Sequence, residues 1–182
     1  MELEPPRMVK EVQSLNGKIA ALNRFVSRAT DRCLPFFHTL RKSFKWTDEC
    51  QTTFNDLKTY FLSPPLLSPS MPGEELYLYL AISQAAVSAA LVRKEDGSQK
   101  LVYFTSRALR GAKERYPQME KLAFALIIVA RRLKPYFQVH TIVVLTDKPL
   151  RKAMSSPEAA GRMALWAVEL SEFDIQYLPE RL

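Results

Sequence analysis

Cysteine is nearly absent from this chain: Cys33 and Cys50 are the only two. They show no metal-ligand spacing, which argues against a disulfide scaffold or a zinc site. Histidine is as scarce. His38 and His140 stand alone, and neither has a nucleophile motif nearby, so a Ser–His–Asp hydrolase finds no support. The five glycines are scattered, which excludes a glycine-rich phosphate loop. No apolar run approaches the about 20 residues that a membrane span needs; the longest candidate, Leu122 to Ala130, is far shorter. The amino-terminal stretch "MELEPPRMVKEV" has neither the basic nor the apolar region of a secretory signal. The expected setting is reducing and intracellular, cytoplasmic or nuclear, with no membrane partner.

What is present is the composition of an ordinary globular chain, 47% hydrophobic and 25% charged. Its 182 residues suffice for one domain with a sizeable core plus a helical appendage. The net charge is +7 and is unevenly spread. Between Arg107 and Lys152 eleven Lys and Arg face three acids, so that segment carries +8 and the remainder −1. Such a segment is either a solvated helix face or a surface that follows a polyphosphate backbone.

Two pieces are separable along the chain. In "EVQSLNGKIAALNRFVSRA" the residues Val12, Leu15, Ile19, Leu22, Val26 and Ala29 recur every three or four positions, predicting a helix with one apolar stripe. "WTDECQTTFNDLKTYFLS" predicts a second helix, capped by Thr47 and buried through Phe54, Leu57 and Phe61. Residues 1–62 are thus a helical segment. Residues 63–73, with Pro64, Pro65, Pro69, Pro72 and Gly73, form a linker. From residue 74 to 182, "ELYLYLAIS", "AAVSAALVRK" and "QKLVYFTSRAL" predict three antiparallel strands, the last two joined by a turn at "EDGS". A long helix, apolar on almost all sides, follows in "YPQMEKLAFALIIVARRLKPYF". "HTIVVLTD" predicts a strand buried on both faces, "KPLRKAM" and "GRMALWAVELSEF" two helices, and "DIQYLP" a last strand. The fold class is α/β, a mixed sheet of three antiparallel strands followed by helix-crossed parallel strands.

Five stretches in order carry a resemblance: "EVQSLNGKIAALNRFVSRATDRCLPFFHTLRK", "FKWTDECQTTFNDLKTYFLSPPLL", "VYFTSRAL", "ERYPQMEKLAFAL" and "VVLTDKPLRKAM". Together they resemble the polymerase polyprotein of gypsy-type LTR retrotransposons: the reverse-transcriptase connection followed by an RNase H-like domain. The match is to the plant-type form, with a degenerate upstream RNase H. That family's nuclease cleaves RNA in RNA–DNA hybrids with two divalent metals held about 4 Å apart by several carboxylates.

The resemblance implies three positions to inspect. Where the family's first strand ends in an aspartate, this chain has Ala81, whose methyl cannot ligate Mg²⁺, and Ser83 and Gln84 are poor substitutes. The second acid falls on Glu120, or, depending on the gap, its slot falls on Leu122. The third falls on Asp147, at the carboxyl end of a buried strand, where it serves as a ligand, as an N-cap for the next helix, or as both. The family's fourth acid lies in a helix that the chain does not reach, and Asp174 suits a solvated turn.

The resemblance therefore implies a domain kept for packing while its catalysis is lost. Glu120 and Asp147 would be a remnant site, at most weak metal ligands. No cofactor is expected, with Mg²⁺ or Mn²⁺ relevant only to residual nuclease activity. The expected role is a tether beside the polymerase and RNase H domains of the same polyprotein, holding RNA–DNA hybrid non-specifically through Arg131, Arg132, Lys134, Lys148, Arg151 and Lys152. The alternatives are an active metal-dependent RNase H, and a truncated retroelement product that binds a protein through the stripe of its first helix.

Overall fold

The computed structural model describes residues 4–41, 43–159 and 161–180; the outer bounds expected at residues 1 and 182 lie outside them. Five strands form one sheet in the order β3-β2-β1-β4-β5: β1 (Leu76–Ile82), β2 (Ala86–Glu95), β3 (Ser98–Ala108), β4 (Ile142–Leu145) and β5 (Ile175–Leu178). The pairs β1/β2 and β2/β3 are antiparallel, while β1/β4 and β4/β5 are parallel. This is the mixed sheet that the strand pattern predicts. The β2–β3 turn is the two-residue Asp96-Gly97 loop, with φ of 51° and 78°. Such a loop needs positive φ at both central residues, which Asp and Gly tolerate, and its twist matches that of the strands.

Alternation along β1 sets the two faces of the sheet. Leu76 and Leu78 are fully buried beside Ile142 and Val144 of β4 and Leu91 of β2. They pack against α5 (Gln118–Arg132), in which Leu122 through Ala130 are all buried. A surface helix would bury one stripe; this one is apolar all round because α7 (Leu150–Ser155) and α8 (Gly161–Leu170) cover its outer side. The short α6 (Lys134–Val139) follows α5 as a separate helix. No helix among the described residues is long and apolar enough to cross a membrane.

The amino-terminal stripe forms one core but not one helix. The chain folds as α1 (Val9–Ala21), a 3₁₀ turn at Asn23–Phe25, α2 (Ala29–Arg32) and α3 (Leu34–Thr39), followed by α4 (Asp48–Leu62). Arg28 takes φ 51°, a left-handed conformation that a helix of L-residues does not continue through. Val12, Ile19, Val26 and Ala29 still reach the core, whereas Leu22 is left exposed. Phe36, Cys50, Phe54 and Leu57 complete that core, with Trp46 stacked on Phe36 at 5.6 Å. Thr47 caps α4 as expected, its Oγ1 accepting from Cys50 N at 3.2 Å. Burial pushes the Cys33 thiol up to about 12, as suits a packing residue.

Residues 63–73 adopt neither helix nor strand, yet they are pinned to the sheet. Ser68 N donates to Leu101 O at 2.6 Å, and the ring of His140 bonds Glu74 O and Ser70 Oγ at 2.9 and 3.2 Å. The buried Arg93 bonds both carboxylate oxygens of Glu74. A polar latch ties the helical segment to the sheet. Ser106 Oγ accepts from Thr30 N at 3.0 Å and shares a hydrogen bond with Thr30 Oγ1, and Ser83 Oγ donates to Asp31 at 2.7 Å.

Candidate functional site

The parallel register of β1 on β4, ending at Tyr79 beside Leu145, brings the segment after β4 next to the end of β1. A cavity of about 320 Å³ opens there, and Leu80, Ile82, Met119, Leu122, Thr146 and Asp147 are among its lining residues. Asp147 lies where α/β sheets commonly place ligands. Its Oδ1, however, accepts from Glu180 N at 3.0 Å and so anchors the segment after β5. The N-cap alternative is corrected by the structure: α7 begins at Leu150 after Pro149 with no side-chain cap, and Lys148 N donates to Thr146 Oγ1 instead.

Glu120 does not line this cavity. It sits on the flank of α5 that faces α8, where Arg162 Nε donates to its Oε2 at 2.7 Å. The Arg162 guanidinium also lies 4.3 Å over the ring of Tyr116. That hydrogen bond raises the pKa of Arg162, and the Glu120 side chain is only 12% exposed. The expected pairing of Glu120 with Asp147 in one remnant site is therefore not found. One turn of helix explains it: residues 119 and 122 line the cavity, and residue 120 points about 100° from the first and about 160° from the second. Leu122, the alternative slot, does line the cavity and offers no ligand.

Ala81 alternates with Leu80 and Ile82, so it faces the opposite side of the sheet from the cavity. Its cross-strand row runs through Ser88 to Ser106, the serine that Thr30 binds. Residue 81, where the resemblance expects an aspartate, thus lies on the face on which the helical segment is latched. Asp174 lies at the other end of the sheet, accepting from the Thr141 hydroxyl just before β4. Among the described residues no three acidic, histidine or cysteine side chains gather closely enough to hold a metal ion. A two-metal site needs several converging carboxylates, and the residues present do not fit one.

The six basic residues expected to contact phosphates lie in two groups at opposite ends of the sheet. Arg131 makes two bonds of 2.7 Å to Glu169 of α8, an interaction that lowers the Glu169 pKa and raises that of Arg131. Lys134 pairs with Glu172 at 3.5 Å and lines a cavity with Thr141 and Asp174 near the start of β4. Arg132, beside them in sequence, is exposed. Lys148, Arg151 and Lys152 surround a cavity of about 500 Å³ beyond the end of β4, together with Thr146, Ser155 and Tyr177. Sequence alone gave no sign of Arg162 and Glu169, because their partners lie 42 and 38 residues away.

A mixed β3-β2-β1-β4-β5 sheet backed by a buried helix, with a single aspartate at the end of β4, defines an RNase H-like domain. Residues 46–144, more than half of the chain, match the family described as the RNase H-like domain found in reverse transcriptase, and the chain belongs to that family. Its curated relatives include the Retrovirus-related Pol polyprotein from transposon 412 of Drosophila melanogaster, 28% identical over 160 residues, covering 85% of this chain and 13% of that protein. The Transposon Tf2-3 polyprotein of Schizosaccharomyces pombe is 24% identical over 189 residues, covering 98% of this chain and 14% of the relative. The chain spans less than a fifth of the length of these polyproteins and matches one segment of each. Among solved structures, the foamy viral protease-reverse transcriptase in complex with dsDNA has a TM-score of 0.79 at 18% identity, covering 99% of this chain and 40% of that one. The same enzyme in complex with RNA/DNA hybrid has a TM-score of 0.78 at 18% identity, covering 99% and 26%. These likenesses are of fold.

Proposed function

We propose that this chain is a non-catalytic connection module of a gypsy-type LTR retrotransposon reverse transcriptase, a degenerate upstream RNase H of the plant type. It packs beside the polymerase and RNase H domains of its polyprotein and holds RNA–DNA hybrid through phosphate contacts. It works inside the cell, in cytoplasm or nucleus, and needs no divalent metal for this role.

One observation carries the proposal: the positions where the resemblance expects acids offer no converging carboxylates. Residue 81 is an alanine on the latched face, Glu120 clasps Arg162, and Asp147 accepts from Glu180 N. The carboxylates that would bind metal and activate water do not converge. The complexes of the foamy viral enzyme with dsDNA and RNA/DNA hybrid support a nucleic-acid partner. So does the +7 net charge.

The test is hybrid binding across a KCl series, read by fluorescence anisotropy. The expected result is binding at low salt that falls linearly on a log–log plot, with a slope of about −0.9 for each phosphate neutralised. Absence of binding at about 50 mM KCl would remove the tether role.

A further inference from the structure

We propose that the cavity between the β4–α7 turn and β5 is a phosphodiester site, in which Lys148, Arg151 and Lys152 hold the nucleic-acid backbone. This rests on the tether function and assigns it to three of the six expected cations. Four observations converge on the cavity.

The first is charge without counter-charge. Arg131, Lys134, Arg162, Arg93 and Lys100 each have a carboxylate partner. Lys148, Arg151 and Lys152 have none among the described residues, although they surround one cavity. Like charges gathered around one cavity repel, and an anion between them relieves the repulsion. Asp147, their neighbour in sequence, has one carboxylate oxygen occupied by Glu180 N.

The second is a free donor. Tyr177 lines the same cavity, and its hydroxyl makes no hydrogen bond among the described residues. Burial pushes its phenol up to about 12 despite the opposing charge of Arg151, so it keeps its proton at neutral pH. The third is size. At about 500 Å³ the cavity falls within the about 300–1,000 Å³ of small-ligand pockets, room enough for consecutive phosphates. The fourth is place: the cavity opens beyond the carboxyl ends of β4 and β5, where parallel strands present their loops to ligands.

The experiment uses the 182-residue chain and a fluorescently labelled RNA–DNA hybrid at 100 mM KCl. The triple variant Lys148→Ala, Arg151→Ala, Lys152→Ala is expected to bind on the order of tenfold more weakly, with its salt slope shallower by about 2. Tyr177→Phe is expected to weaken binding by about two- to tenfold, the loss of one hydrogen bond. The control triple Arg131→Ala, Arg132→Ala, Lys134→Ala removes the same charge from the other end of the sheet. Equal losses in the two triples, or loss in the control alone, would overturn the assignment while leaving the tether function standing. Lys152→Glu, a single exposed change, repeats the test should the first triple unfold, and unaltered binding by it would count against the site. If the parent binds no hybrid, the tether function falls. Titration with inorganic pyrophosphate, read at the backbone amides of residues 146–152 and 175–178, then decides the cavity: saturable shifts there uphold a phosphate site, and none overturns it.

Discussion

Ala81→Asp is expected to leave the protein without hybrid cleavage and to destabilise it by about 1–2 kcal/mol. By family resemblance this substitution restores the first metal ligand. In the structure it adds a carboxylate to the row shared with the buried Ser88 and Ser106. Ser83, two residues along the same edge, already holds Asp31 at 2.7 Å. Residues two apart in a strand are separated by about 7 Å. At an effective dielectric near 20, a carboxylate at residue 81 roughly 10 Å from that of Asp31 would repel it by about 1–2 kcal/mol before screening by Arg28 and solvent. Asp31→Asn should therefore rescue part of the loss, and a double-mutant cycle from urea midpoints reads the coupling directly. An Ala81→Asp protein as stable as the parent, with no coupling to Asp31, would show that residue 81 does not face the latch.

Leu126→Ala is expected to cost about 2–5 kcal/mol, a large share of the about 5–15 kcal/mol available to a domain. Leu126 is fully buried at the middle of α5, within the core that includes Leu78, Val144 and Met163. Truncation removes its transfer free energy and leaves a hole that the sheet on one side and α7 and α8 on the other cannot readily close. Leu126→Met keeps the volume and should cost less than about 1.5 kcal/mol. A loss below about 1 kcal/mol for Leu126→Ala in equilibrium urea unfolding would mean that α5 is not the central element of this fold.

The features legible in sequence are those set by near neighbours. The Asp96-Gly97 turn, the Thr47 cap and the buried apolar run of α5 each follow from residues within a few positions of one another. Strand alternation then gives the faces of β1, and the order of elements gives the mixed sheet. The left-handed Arg28 was hidden because the three-and-four spacing of the stripe persists through the break, so the pattern alone predicts a longer helix than exists. The fate of the inherited acids was hidden for a different reason. The resemblance singles out Glu120, but the carboxylate's partner is Arg162, which belongs to another helix. Similarly, Asp147 is claimed by a backbone amide 33 residues away. How far apart the two groups of cations lie was hidden as well: α5 and β4 carry them to opposite ends of the sheet. Partner choice over such distances is a property of packing, not of local pattern.

The sheet and its backing helix are those of an RNase H-like domain, while the acids that the resemblance singles out do not gather into a metal site among the described residues. Glu120 and Asp147 each have a structural partner that a metal would have to displace. The most direct measurement is incubation of the purified chain with an end-labelled RNA–DNA hybrid in Mg²⁺, and separately in Mn²⁺, with Asp147→Asn alongside. The expected result is intact RNA with the parent and the variant in both metals. Metal-dependent RNA cleavage by the parent that is lost in Asp147→Asn would contradict a non-catalytic module and make this chain a nuclease with a different ligand set.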